Sequence, residues 1–268
     1  MLPIGDVNPT RHRPYVTLAF IALNLAAFLL WQPTFAGQAK QQTFFFCHAE
    51  IPYEVSHQTN LARGGAEAVA AIAEDLELAP QGAQGLQQFL QLRCPDKSWS
   101  LSIFVAMFLH GGWMHIAGNM LYLWVFGNNV EDRLRPIGFV VFYLLGGITA
   151  SGLQLAFDEN SAIPSLGASG AIAAVLGAYL VMFPRARVRA LTTFFVISII
   201  ELPAVFVLGG WFVLQLFQGV GELGGGAVNT GVAYWAHIGG FIAGVVGGLL
   251  LRNRRPPHEW TPPRPDYP

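Results

Sequence analysis

Six runs of apolar residues divide this chain: Tyr15–Trp31, Leu101–Gly127, Ile137–Phe157, Leu166–Phe183, Ala190–Phe217 and Val232–Leu251. Each approaches the roughly 20 residues that a helix needs to cross a hydrocarbon core of about 30 Å. Asp, Glu, Lys and Arg are absent from all of them except at Glu201. Their glycine content suits membrane helices better than soluble ones. The pattern predicts an all-α membrane protein with six transmembrane helices over residues 15–251. The first run lacks a small-residue cleavage pattern and is followed by further spans, so it reads as a retained helix.

Basic residues orient these spans. Arg11 and Arg13 precede the first, and Arg133 and Arg135 join the second to the third. Arg185, Arg187 and Arg189 join the fourth to the fifth, and Arg252, Arg254 and Arg255 follow the sixth. The connections on the other side, 158–164 and 218–231, carry no Lys or Arg. The positive-inside bias therefore predicts both termini in the cytoplasm. Residues 1–14 form a cytoplasmic N-terminus, and 252–268 form a Pro-rich, disordered cytoplasmic tail.

Composition agrees. The chain has 268 residues, 53% of them hydrophobic and only 12% charged, against about 25% charged in a soluble domain. The formal net charge of -1 offers nothing for a nucleic-acid partner. No organelle-targeting stretch precedes the first span, which points to the cytoplasmic (inner) membrane as the location.

A long exterior loop, residues 33–98, separates the first two spans. Within it, Leu61–Ala79 places Leu, Val and Ile at helical spacing, with Glu67, Glu74, Asp75 and Glu77 opposite. This predicts an amphipathic helix lying on the membrane or on the protein. The chain's cysteines, Cys47 and Cys94, both fall in this loop. Thiols confined to the oxidising side suggest a disulfide that closes it, with two unpaired thiols as the alternative.

Polar groups inside lipid are costly, and a functional site is the default explanation for them. Gly167-Ala168-Ser169-Gly170 opens the fourth span. A serine there sits at a helix start, where free backbone N–H groups can hold an oxyanion. An ordinary N-cap serine is the commoner meaning of so short a motif. His237 lies near the outer end of the sixth span in Ala-His-Ile-Gly-Gly, and a buried neutral imidazole there can accept a serine proton. A lone histidine more often bonds a carbonyl between helices. Gly240, Gly244 and Gly248 follow it at four-residue steps, and Ser169, Ala173 and Gly177 repeat at the same step. Such stripes let helix backbones approach closely and would bring Ser169 and His237 to one depth.

The second span holds His110, His115 and Asn119. His115 and Asn119 share a helix face and can donate hydrogen bonds to developing negative charge. His110 would point elsewhere on a continuous helix. The helical zinc-protease pattern is absent, so neither a metal nor another cofactor is expected. Glu201 beside Pro203 reads either as part of an ion path or as a kink or a segment near the cytoplasmic face; the nearby arginines favour the latter, and it receives no role.

Taken in order, H-x-x-x-N in the second span, G-x-S-G opening the fourth and A-H-x-x-G-x-x-x-G in the sixth resemble the rhomboid family of intramembrane proteases. Glu131-Asp132-Arg133 looks like the family's E-x-R signature. The resemblance covers about Tyr15 to Leu251 and implies a six-helix rhomboid-like bundle. It implies Ser169 as nucleophile and His237 as general base, a dyad without an acidic third member. Asn119, His115 and the Ser169 N–H would form the oxyanion hole. Trp211 and Phe212 of the fifth span, with the loop Gly219–Gly231, look like the family's substrate gate and cap. Glu131, Arg133, Gly240 and Gly244 would be structural. Where some relatives place a tyrosine one turn after the serine, stacked on the histidine, this chain has Ala173.

The implied substrates are single-pass or other transmembrane proteins reached through the bilayer. Two rivals stand beside this reading. A rhomboid-like pseudoprotease that binds transmembrane clients would need neither Ser169 nor His237, and a small transporter would predict an internal repeat that the chain lacks.

Overall fold

The computed structural model describes residues 2–192, 198–223 and 232–251. Strand β1 (Leu2–Asp6) precedes helix α1 (Tyr15–Ala26), which continues as a π turn over Ala27–Trp31. An insert follows, built of α2 (Gln38–His48), α3 (Pro52–Ser56), α4 (Gly65–Asp75) and α5 (Pro80–Arg93). The chain then forms α6 (Trp99–Ala106), α7 (Trp113–Leu134), α8 (Pro136–Phe157) and α9 (Ser169–Met182). Strands β2 (Arg187–Thr192) and β3 (Ser198–Pro203) lead into α10 (Ala204–Leu223) and α11 (Tyr234–Leu251).

The chain is a multi-pass membrane protein, mostly helical. Helices α8, α10 (over Ala204–Gly221) and α11 are long and apolar enough to cross a membrane, whereas α1 with its π turn and α9 are shorter. Helix α9 is the centre of the bundle. Its side chains from Gly170 to Tyr179 are buried, with α7, α8 and α11 packed around it. At 14 residues it is about 21 Å long, too short to cross a 30 Å core by itself.

The small-residue stripes do meet, one residue out of the predicted register. A methyl group on Gly240 would strike the carbonyl oxygen of Gly170, and one on Gly244 the carbonyl oxygen of Ala174. One on Gly248 would crowd Val181 and Ala178. The contacting face of α9 therefore holds Gly170, Ala174 and Ala178, joined by Gly177 of the predicted stripe, where a methyl group would strike the Phe241 carbonyl oxygen, while Ser169 and Ala173 are turned beside it. Ascending steps on one helix match ascending steps on the other, so α9 and α11 run in the same direction.

Several expectations are corrected. The fold is not all-α: β1, β2 and β3 make an antiparallel sheet in that order, so the N-terminal segment includes a strand over residues 2–6. Val188 and Ala190 turn inward and are buried, while Arg187 and Arg189 face out. That period of two marks a half-buried strand. Leu2–Asp6, with Pro3 and Gly5, has no strand signal of its own and depends on β2 for its pairing. The fifth apolar run is part hairpin, and its helix begins only at Ala204, after Pro203. Glu201 lies on β3 facing Arg189 at 3.2 Å and Arg187 at 3.8 Å, all exposed, a geometry that adds little stability.

The second run is likewise broken. Gly111-Gly112 separates α6 from α7, as paired glycines do, and α7 runs on to Leu134. In the loop 33–98, helix covers only Gly65–Asp75 of the predicted Leu61–Ala79. Its Ala68 and Ile72 enter a separate core with Ile51, Tyr53, Leu61 and Leu90. The helix lies on protein. Cys47 and Cys94 form a disulfide, with Cα atoms 5.4 Å apart. The tail 252–268, with Arg252, Arg254 and Arg255, and most of the Gly219–Gly231 loop lie outside the described residues.

At the end of α7 away from Gly112, Glu131 accepts hydrogen bonds from the N–H groups of Val16 (2.9 Å) and Thr17 (2.7 Å) and from the Thr17 hydroxyl. The carboxylate thus caps the first turn of α1, where unpaired donors and the helix dipole favour negative charge. Arg133 is in the last turn of α7.

Candidate active site

The approach to Ser169 is set by Gly167. Its φ of +127° is unfavourable for any residue with a side chain, and a Cβ there would collide with the His115 ring. Its N–H donates to the Ala106 carbonyl at 2.9 Å, tying the turn to the end of α6. Ser169 is then the first residue of α9, so its own N–H has no acceptor one turn back within the helix.

Parallel packing of α9 and α11 carries Ser169 to His237. The serine hydroxyl lies 2.8 Å from His237 Nε2, within hydrogen-bond distance. On the other side of the ring, His237 Nδ1 lies 2.7 Å from Gln215 Oε1 of α10. Trp211, one turn before Gln215, holds its ring centroid 5.8 Å from the imidazole at an interplanar angle of 37°. An aromatic group therefore does flank the histidine, supplied by α10, although Ala173 occupies the tyrosine position of some relatives. Phe212 points along the same helix junction and stacks on Phe241 of α11 at 4.4 Å.

Ser169 and His237 line a cavity of about 790 Å³, together with His115, Asn119, Ala173 and Trp211. His115 Nδ1 accepts from the Gly111 N–H at 3.3 Å, which leaves the ring proton on Nε2, the nitrogen nearest Gly167. Asn119 is buried, and its side-chain N–H₂ has no hydrogen-bond partner among the described residues. A buried donor left unpaired is costly unless something else occupies it. The break between α6 and α7 also brings His110 beside His115, ring centroids 5.0 Å apart, contrary to the continuous-helix expectation.

The insert reaches this site through Glu50. Its carbonyl accepts from the Ser165 N–H at 2.7 Å, shortly before Gly167. Its side chain accepts from the Ser151 hydroxyl of α8. Burial pushes the Glu50 carboxyl up to about 7, against the opposing pull of Ser151 and Lys97.

Comparison with known proteins decides the family. The description of the rhomboid domain matches residues 96–254, α6 through α11 and a few residues beyond. The chain belongs to the rhomboid family. It is 30% identical over 171 residues to Rhomboid protein 1, mitochondrial, of Saccharomyces cerevisiae, covering 62% of this chain and 46% of the relative. It is 31% identical over 156 residues to RHOMBOID-like protein 6, mitochondrial, of Arabidopsis thaliana, covering 58% and 44%. It is also 36% identical over 141 residues to Rhomboid protease GluP of Bacillus subtilis, covering 53% and 25%. The chain thus spans less than half the length of each of these relatives. The insert helices α2 to α5 precede the matched rhomboid domain.

Of the residues singled out in the sequence, Ser169, His237, His115, Asn119 and Trp211 meet around one cavity. Phe212 sits behind it. Gln215 is not evident from the sequence as a partner of His237, because an amide carries no charge to mark it as one. The signal available was a lone amide in an otherwise apolar span.

Proposed function

We propose that this rhomboid is an intramembrane serine endopeptidase that cleaves transmembrane segments of other membrane proteins. The observation that carries the reading is the 2.8 Å contact from Ser169 to His237 in a cavity that also holds an unpaired, buried Asn119 donor. The name of the Bacillus subtilis relative, a rhomboid protease, points the same way.

In this mechanism a substrate helix enters laterally past α10 and unwinds locally to expose a carbonyl. Ser169 Oγ attacks the carbonyl carbon as its proton passes to His237 Nε2. Asn119, His115 and the Ser169 N–H hold the resulting oxyanion. Collapse breaks the C–N bond, and the leaving amine takes the proton from His237. Water then attacks the acyl ester, giving up a proton to His237, and the carboxylic acid departs as Oγ is reprotonated. Trp211 and Phe212 form the gate. Six spans with both termini in the cytoplasm, in the cytoplasmic membrane, complete the reading. In that topology the fourth and sixth spans run the same way, as α9 and α11 do.

The test is cleavage of a single-span reporter helix by protein reconstituted in lipid. Wild type should cleave, and Ser169→Ala should not. Asn119→Ala should retain the fold and lose about 10²–10³ in rate. Binding of the reporter without cleavage by wild type would favour a client-binding pseudoprotease instead.

A further inference from the structure

A neutral imidazole has two tautomers, and only one can serve as the base for Ser169. Nε2 must present its lone pair, so the proton must be on Nδ1. A proton on Nδ1 in a buried place needs an acceptor. Gln215 supplies one: its Oε1 is 2.7 Å from Nδ1, and the side chain is 8% exposed within the stretch 204–217 of α10, which is apolar apart from it. The reverse amide orientation would donate N–H to Nδ1, leave the proton on Nε2 and aim a donor at Ser169.

We propose, on the basis of the protease reading, that Gln215 is a positioning residue that holds His237 in the Nδ1–H tautomer. The site is then a serine, a histidine and an amide, not a bare dyad. The amide does for the ring orientation what a carboxylate does in three-membered triads, without placing a charge in lipid. Trp211, one turn away on α10, limits tilting of the same ring. Helix α10 therefore belongs to the proton-transfer apparatus as well as to the gate.

Two variants separate positioning from packing. Gln215→Met keeps a similar volume and removes the acceptor, whereas Gln215→Glu keeps an acceptor in nearly the same shape. The full chain is reconstituted in lipid, the ring tautomer of His237 is read from ¹⁵N chemical shifts, and kcat and KM are measured on the reporter helix. Gln215→Met should populate both tautomers and lower kcat by about 10²–10⁴ with KM unchanged. Gln215→Glu should keep the Nδ1–H tautomer and a kcat well above that of the Met variant. A single Nδ1–H tautomer persisting in Gln215→Met overturns the proposal, whether or not the chain cleaves anything. Equal losses in both variants with the tautomer unmoved would also overturn it, leaving Gln215 a packing residue. Loss of the tautomer in Gln215→Met without Ser169-dependent cleavage by wild type would support the positioning role and sink the protease reading instead.

Discussion

The seam between α9 and α11 and the insert between α1 and α6 are held together by opposite chemistry. The seam has no charge. Its helices touch backbone to backbone through Gly240, Gly244 and Gly248, and the residues facing them are Gly170, Ala174 and Ala178. The insert is stapled by the Cys47–Cys94 disulfide and by an ion pair between Lys97 and Glu54 at 2.6 Å, both side chains almost fully buried. Lys97 also donates to the Phe46 carbonyl, and Glu54 accepts from the Leu61 N–H. Lipid gives no hydrophobic drive for helices to associate, so the seam depends on close van der Waals contact. The insert has a small core, and small cores commonly need covalent or polar staples.

The largest expected effect lies in the insert. Lys97→Met leaves Glu54 buried without its partner and should cost about 3–5 kcal/mol of local stability. Hydrogen exchange of the α3 and α5 amides should accelerate accordingly, while the seam stays protected. Unchanged exchange would mean that the ion pair is not what holds the insert.

A smaller effect should appear at Glu50, where the insert meets α8 and the turn leading into α9. Burial raises the Glu50 carboxyl from an ordinary 4.5 to about 7. The folded state thus binds this proton more tightly than the unfolded one. Its contribution to stability is full below pH 4.5 and is lost as pH rises through 7, amounting to about 3 kcal/mol at most. Glu50→Gln should flatten the pH dependence of exchange around Ser165 over that window. A wild-type profile already flat between pH 4.5 and 7 would count against this account.

Gly244→Ala should have the smallest effect on stability, about 1–3 kcal/mol from overpacking against Ala174, read as a lower Tm. Cleavage should fall with it, because the added methyl group widens the seam that sets the Ser169–His237 distance. Gly152→Ala in α8 is the control. Nothing lies within 4 Å of a Cβ at that position, and the change should be neutral or stabilising by about 0.5–1 kcal/mol. Equal losses at both glycines would show that helix propensity, not close approach, governs them.

Much of the site was legible because its chemistry is written in short local patterns. Ser169 follows a glycine that permits the turn, His115 and Asn119 are one helical turn apart, and His237 heads a glycine stripe. Apolar run lengths located α1, α8 and α11 closely. They failed where a strand is as apolar as a helix, as in 190–192 and 198–203, and where Gly111-Gly112 breaks a run that is hydrophobic on both sides. The alternation at Arg187-Val188-Arg189-Ala190 was a usable signal for β2. Helical spacing did foretell α4, but its apolar face could not reveal whether it would meet lipid or protein.

The sequence by itself determined that the chain belongs in a membrane, which residues carry acid–base potential, and which helices can approach closely. These depend on composition and on spacing along one element. Tertiary structure alone decided that β1 joins β2, that the insert has a core of its own, and that Gly170, not Ser169, faces Gly240. It also decided that Gln215 meets His237. Each of these depends on the relative rotation and depth of two separate elements. Such rotations are set by all the side chains packed between the elements, and no single stretch of sequence contains them.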